Sequence, residues 1–337
     1  MPFHEQVDMH TERSEVDSMH TLLAIPPNFY SIPFGLVGLA RGWRLASNFY
    51  GLPVWIGNAL FLLAAVIFLL FLVLLIIKLL IAPKMVLADL TNSAVGPFFS
   101  LLPIIGMLLA VGLAPYALSG ARVLFLVFFV ATVLIGGWYT GQWIIAALDA
   151  DKFGPGYFLP TVAGGILGAD SAASFGLTGL AWISFGLGII SWLMLSPIIL
   201  NRLYLRPNFP AALIPTLAIV IVPSVIAGNA YFTLTGNRVD PVAYILAGYT
   251  VLMALVQLRL LTLYLKLPFS PGLWSFTFSY AATAAYALRW LHLQHFAGAT
   301  LLGYIVLAAI TLFIGGILLR SLIALGQGTF LPRAGNS

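Results

Sequence analysis

The sequence predicts an all-α polytopic membrane protein with ten transmembrane helices. They form five helical hairpins in a quasi-fivefold arrangement, the odd helices kinked and lining a central pore, the even helices outside. Three observations carry this expectation. Of 337 residues, 61% are hydrophobic and 7% charged, whereas soluble domains are about half apolar and about a quarter charged. From Asn28 onward, apolar stretches of about 20 residues, each able to cross a hydrocarbon core of about 30 Å, recur with short breaks. Alternate stretches also differ in chemistry, one smooth and aliphatic, the next rich in Pro, Gly, Ser and Thr.

The first 25 residues hold five of the ten acidic groups, Glu5, Asp8, Glu12, Glu15 and Asp17. Without an apolar run for a signal-peptide core, residues 1–25 read as a disordered acidic cytoplasmic tail that stays on the chain. Residues 26–326 form the transmembrane channel domain and 327–337 a short C-terminal tail. Tails this short predict no folded regulatory domain. The expected spans are 28–46, 55–81, 96–115, 121–148, 157–177, 179–201, 211–234, 241–265, 272–291 and 298–325.

Span two reads ALFLLAAVIFLLFLVLLII from Ala59 to Ile77, apolar on every side and fit to face lipid. Four of the odd spans carry an interior proline, Pro33, Pro103, Pro160 and Pro215, at intervals of 70, 57 and 55 residues. Each interval holds one odd and one even helix, a hairpin repeat. In the fifth repeat, which begins at Pro271, Ser275, Thr277 and Ser279 stand where the others have proline, so it is expected to bend by other means. Proline in a helix frees a carbonyl that must be buried or face water, which places these helices at the centre.

An even number of spans puts both termini on one side. Arg13, Lys78, Lys84, Lys152, Arg202, Arg206, Arg259, Lys266, Arg320 and Arg333 fall at one set of ends. Arg41, Arg44, Arg122, Arg238 and Arg289 fall at the other. The positive-inside rule then predicts cytoplasmic termini. Trp43, Trp55, Trp138, Trp143, Tyr157 and Trp290 lie near span ends, as an interfacial belt requires.

Several classes are excluded. Without cysteine the chain is neither a disulfide scaffold nor a zinc finger. Its net charge of +5 is spread singly, so no nucleic-acid partner is expected. GxSxG, HExxH and Walker A patterns do not occur, so no enzyme activity and no cofactor are predicted. His292 and His295 form an HLQH pair without a third ligand nearby, a weak metal signal against a plain interfacial loop.

Acidic residues lie in the tail or in loops, as do Asp89, Asp149, Asp151 and Asp240, with one exception, Asp170 in span five. A pathway with hydroxyls, freed backbone groups and occasional arginines favours small inorganic or organic anions over cations. Asp170 reads as a cap for the start of span six or as a proton-linked group, its terminal position favouring the cap. Arg259 is expected to snorkel to the headgroups. The alternatives are a proton-coupled transporter and a scaffold or receptor whose bent helices merely pack.

The strings PPNFYSIPFGLVGLARGW, PFFSLLPIIGML, YFLPTVAGGILGA, PTLAIVIVPSVIAGNAYF and PGLWSFTFSYAATA run in order between Pro26 and Leu325. Together they resemble the tellurite-resistance/dicarboxylate transporter family. The resemblance implies a homotrimer in the cytoplasmic membrane, each subunit with its own pore. It also implies a pore-blocking phenylalanine in the motif Gly272-Leu273-Trp274-Ser275-Phe276-Thr277-Phe278. The gate then falls on Phe278, with Phe276 as the off-by-two alternative. Small residues that give the ring room would be Ser31, Gly35, Gly106, Gly164, Gly165 and Thr277. Dicarboxylate, sulfite or tellurite are the cargoes of the coupled alternative.

Overall fold

The computed structural model describes residues 25–146, 150–294 and 296–332. Asp149, His295, Arg333 and the acidic tail to Ala24 lie outside them. The main helices are α1 (Ser31–Tyr50), α2 (Val54–Ile81), α3 (Leu101–Leu113), α4 (Leu118–Ile145), α5 (Gly164–Ser174), α6 (Thr178–Leu205), α7 (Val222–Thr235), α8 (Pro241–Tyr264), α9 (Ser275–Gln294) and α10 (Ala299–Gly326), with a short helix at Pro83–Thr91. Among the described residues there is no strand. Seven helices, counting the non-α openings of α3 and α7, are long and apolar enough to cross a membrane by length and composition.

Each odd helix is joined to the next even one by a short connection, and the two pack together. Gly51, at φ 69°, ends α1, and Gly236, at φ 65°, ends α7; only glycine reaches this left-handed region without steric cost. Asp240 caps α8 by accepting from the backbone N–H groups of Val242 and Ala243. The hydroxyl of Tyr231 donates to the same carboxylate at 2.6 Å.

The even helices are exposed along most of their surface and bury one narrow stripe. In α2 that stripe is Gly57, Phe61, Ala64, Phe68 and Phe71; in α8 it is Ala243, Leu246, Thr250, Met253 and Gln257. Alternating steps of three and four residues keep one seam facing the partner helix. The odd helices are buried on most faces and pack on one another in the order α1, α3, α5, α7, α9, with α9 returning to α1.

The expected proline kinks take a different form. Pro33 and Pro103 each occupy the third residue of α1 and α3, in the first turn, where the missing N–H costs no helical bond. Ahead of them run 3-10 turns, Pro27–Tyr30 and Gly96–Ser100. Pro160 lies in a π turn, Leu159–Ala163, and Pro215 in an eleven-residue 3-10 stretch, Ala211–Ile221. The prolines therefore mark where a non-α opening passes into α-helix. In the fifth repeat the opening is the 3-10 turn Pro271–Trp274.

Hydroxyls serve the carbonyls of these openings. Ser31 donates to the Asn28 carbonyl, Ser100 to Pro97 at 2.6 Å, Thr216 to Leu213 at 2.6 Å and Thr277 to Trp274 at 2.7 Å. From α8 the buried Gln257 amide donates to the Leu217 carbonyl at 3.2 Å. Backbone groups that leave the α ladder in an apolar surround thus find partners inside the protein.

Candidate functional site

Among the cavities that touch the buried helices, two share Phe278 as a lining residue. The larger, about 170 Å³, is lined from all five odd helices and includes Gly38, Arg41 and Arg44 of α1, Val111 of α3, Asp170 of α5, Asn229 of α7 and Ala282 and Arg289 of α9. The smaller, about 20 Å³, lies among the non-α openings and is lined by Ser31, Phe34, Leu101, Leu159, Ile219 and Ser279, among others. Phe278 lines both. Its ring stacks on Phe34, with centroids 3.5 Å apart and planes 11° from parallel.

Helical spacing explains the placement. Phe278, Ala282, Ala285 and Arg289 recur at steps of four, three and four residues along α9, so one face carries the ring and the guanidinium. Phe276 points elsewhere. It meets Tyr264 at 4.8 Å and Tyr280 at 5.8 Å between ring centroids, and it lines neither cavity.

Most of the small residues expected around the ring do not lie there. A Cβ on Gly35 would come 1.8 Å from Thr277 Oγ1, so Gly35 and Thr277 form the close crossing of α1 and α9. A Cβ on Gly106 would strike the Phe128 ring at 2.4 Å, one on Gly164 would meet Thr132 Cγ2 at 2.7 Å, and one on Gly165 would meet the Gly188 backbone at 2.7 Å. These glycines let odd helices approach even ones, the usual role of small residues between membrane helices. Ser31 does line the smaller cavity. The residue that gives the ring room is Gly38, whose added Cβ would lie 3.1 Å from Phe278 Cδ2.

Asp170 does not cap the helix that follows. Leu177 holds the N-cap position of α6 without a side-chain bond, whereas the Asp170 carboxylate is buried and paired with the Arg41 guanidinium. Arg289 donates to Asn237 Oδ1 and Thr233 Oγ1, each at 3.1 Å. Arg44 donates to Asn58 Oδ1 at 3.0 and 2.8 Å and lies over the Phe61 ring at 4.3 Å. Charge counting along the sequence places these three arginines at span ends; folding turns them inward. Their signal was position, since Arg41 and Arg44 stand one turn apart inside an odd helix and Arg289 five residues before the end of another. His292 stacks on Phe49 at 4.0 Å, and among the described residues no group of three His, Cys, Asp or Glu could hold a metal.

Long apolar helices around a buried, arginine-lined cavity fit a multi-pass helical membrane protein of the channel and transporter class. The chain belongs to the voltage-dependent anion channel family, which it matches over residues 24–322. It is also similar to the tellurite resistance protein TehA homolog of Haemophilus influenzae, with 26% identity over 310 residues that cover 91% of this chain and 92% of that one. The kinship expected from the five sequence strings is borne out.

Proposed function

We propose that the chain is a gated facilitator for small anions in the cytoplasmic membrane. Ten crossings form five hairpins in quasi-fivefold order, each subunit of a homotrimer carries its own conduit, and both termini face the cytoplasm. The closed cycle of odd helices supports the central conduit. The split of basic residues, ten against five, supports the orientation.

One observation carries the gate. Phe278 lines both an arginine-lined cavity and a smaller one, and its ring is stacked on Phe34. An apolar plug excludes water, and a dry segment is prohibitive for a bare anion. Conduction then requires the ring to swing aside.

The test is the current of wild type beside Phe278→Ala in planar bilayers, with chloride, nitrate, sulfite and malate exchanged in turn and pH varied. A large ohmic anion current in the variant, indifferent to pH, is expected. An unchanged current from properly inserted protein would overturn the gate. The second reading is proton-coupled transport of dicarboxylate, sulfite or tellurite, favoured by the buried carboxylate of Asp170 within the cavity. Small currents with pH-dependent uptake would decide for it.

A further inference from the structure

The larger cavity has a charge pattern that a plain passage for anions does not need. Three guanidinium groups, Arg41, Arg44 and Arg289, line it together with one carboxylate, Asp170, a formal surplus of two positive charges. Arg44 is engaged by Asn58 and Arg289 by two side-chain oxygens. Arg41 forms the ion pair with the carboxylate, which also interacts with Arg289 and the Thr233 hydroxyl. Asp170 is 2% exposed, and its second oxygen, Oδ1, has no hydrogen-bond partner; neither has the buried Nε–H of Arg289. A carboxylate and a guanidinium donor are thus both incompletely satisfied within one cavity, where buried polar atoms are normally paired.

A guanidinium presents a planar fork that matches two oxygens of one anion. In this protein one arm of the Arg41 fork already holds a single oxygen of a carboxylate tethered to α5. We propose that the larger cavity is a binding site for a small oxyanion, with Arg41 and Arg289 as its donors, and that Asp170 is an internal competitor that must yield Arg41 before the external anion is held. This rests on the conduit reading for its physiological meaning. The competition explains why a carboxylate sits where anions should collect. Without it, desolvated arginines would hold their ligand too tightly for passage, since conduction needs binding strong enough to enter and weak enough to leave. The tethered carboxylate restores exchange by refilling the fork as the anion departs.

Nitrate is the probe, with ionic strength held by chloride. The purified full chain is followed by thermal unfolding against nitrate concentration, because a ligand that binds the folded state raises the midpoint with the logarithm of one plus its concentration over its dissociation constant. Asp170→Asn should lower the nitrate dissociation constant fitted to those midpoints about tenfold, and Arg289→Gln should raise it by about tenfold or more. The neutral pair Arg41→Gln with Asp170→Asn keeps the packing without either charge. It should unfold like wild type and lose the nitrate response, and it decides the matter if Asp170→Asn alone does not fold.

A nitrate response unmoved by Asp170→Asn, or retained by the neutral pair, would overturn the site. In liposomes bearing Phe278→Ala, the half-saturating nitrate for flux should shift with Asp170→Asn in the same sense as binding does. If no variant carries flux yet binding shifts as expected, the conduit reading fails and the site stands. Flux with unshifted binding means the reverse.

Discussion

Phe278 and Phe276 are two residues apart on one helix, and that separation alone gives them different work. Phe276→Ala removes a ring packed against Tyr264 and Tyr280. It should cost about 3–5 kcal/mol of stability, as buried Phe→Ala changes do, without opening the path. Phe278→Ala should raise current instead, so bilayer conductance beside thermal unfolding separates the two. Gly35→Val should destabilise by about 1–3 kcal/mol through overpacking, because a Cβ there already collides with Thr277; a lower unfolding midpoint checks it. A motif in the sequence singled out Phe278, and the structure puts that residue on the cavity-lining face of α9. The surroundings of the glycines were not legible, since a small residue on an odd helix looks the same whether it faces a cavity or a neighbouring helix. The arginine cluster escaped for a related reason: residues from α1, α5 and α9 meet only once the helices are packed.

At the scale of elements, periodicity was a poor guide and chemistry a good one. The wholly apolar run Ala59–Ile77 of α2 carries no sequence pattern to show which stripe it buries, and the stripe emerges only from packing. The contrast between odd and even spans, by comparison, predicted which helices would be buried. Prolines were correctly read as departures from the α ladder, but their consequence was misplaced. The departure lies before or around each proline, in 3-10 and π turns, and carbonyls of the 3-10 openings are taken by Ser and Thr hydroxyls. The start of α8 offers a titratable test. A hydrogen bond from Tyr231, together with the backbone N–H groups of Ala243 and Val242, holds the Asp240 carboxyl below its ordinary value. A carboxyl depressed in the folded state stabilises above its unfolded value, and the gain is lost as pH falls through the folded value. Asp240→Asn should therefore lower the unfolding midpoint at neutral pH, and the gap to wild type should close in acid.

For the molecule as a whole, topology can be read directly, because the chain has no cysteine and any introduced thiol reports alone. Arg238→Cys, at an exposed connection, should react with an impermeant maleimide in intact cells, and Lys266→Cys only after permeabilisation. Labelling of both from outside would overturn the orientation. The openings of the odd helices also set their reach. A 3-10 helix rises about 2.0 Å per residue against about 1.5 Å for an α-helix, so the eleven residues of Ala211–Ile221 span about 5.5 Å more than the same chain wound as α-helix. This stretch is stored length. Rewinding it would draw the end of one wall strut inward by a full helical turn's height while its α-helical neighbours on the lipid side stayed where they are, a telescoping travel built into the inner layer.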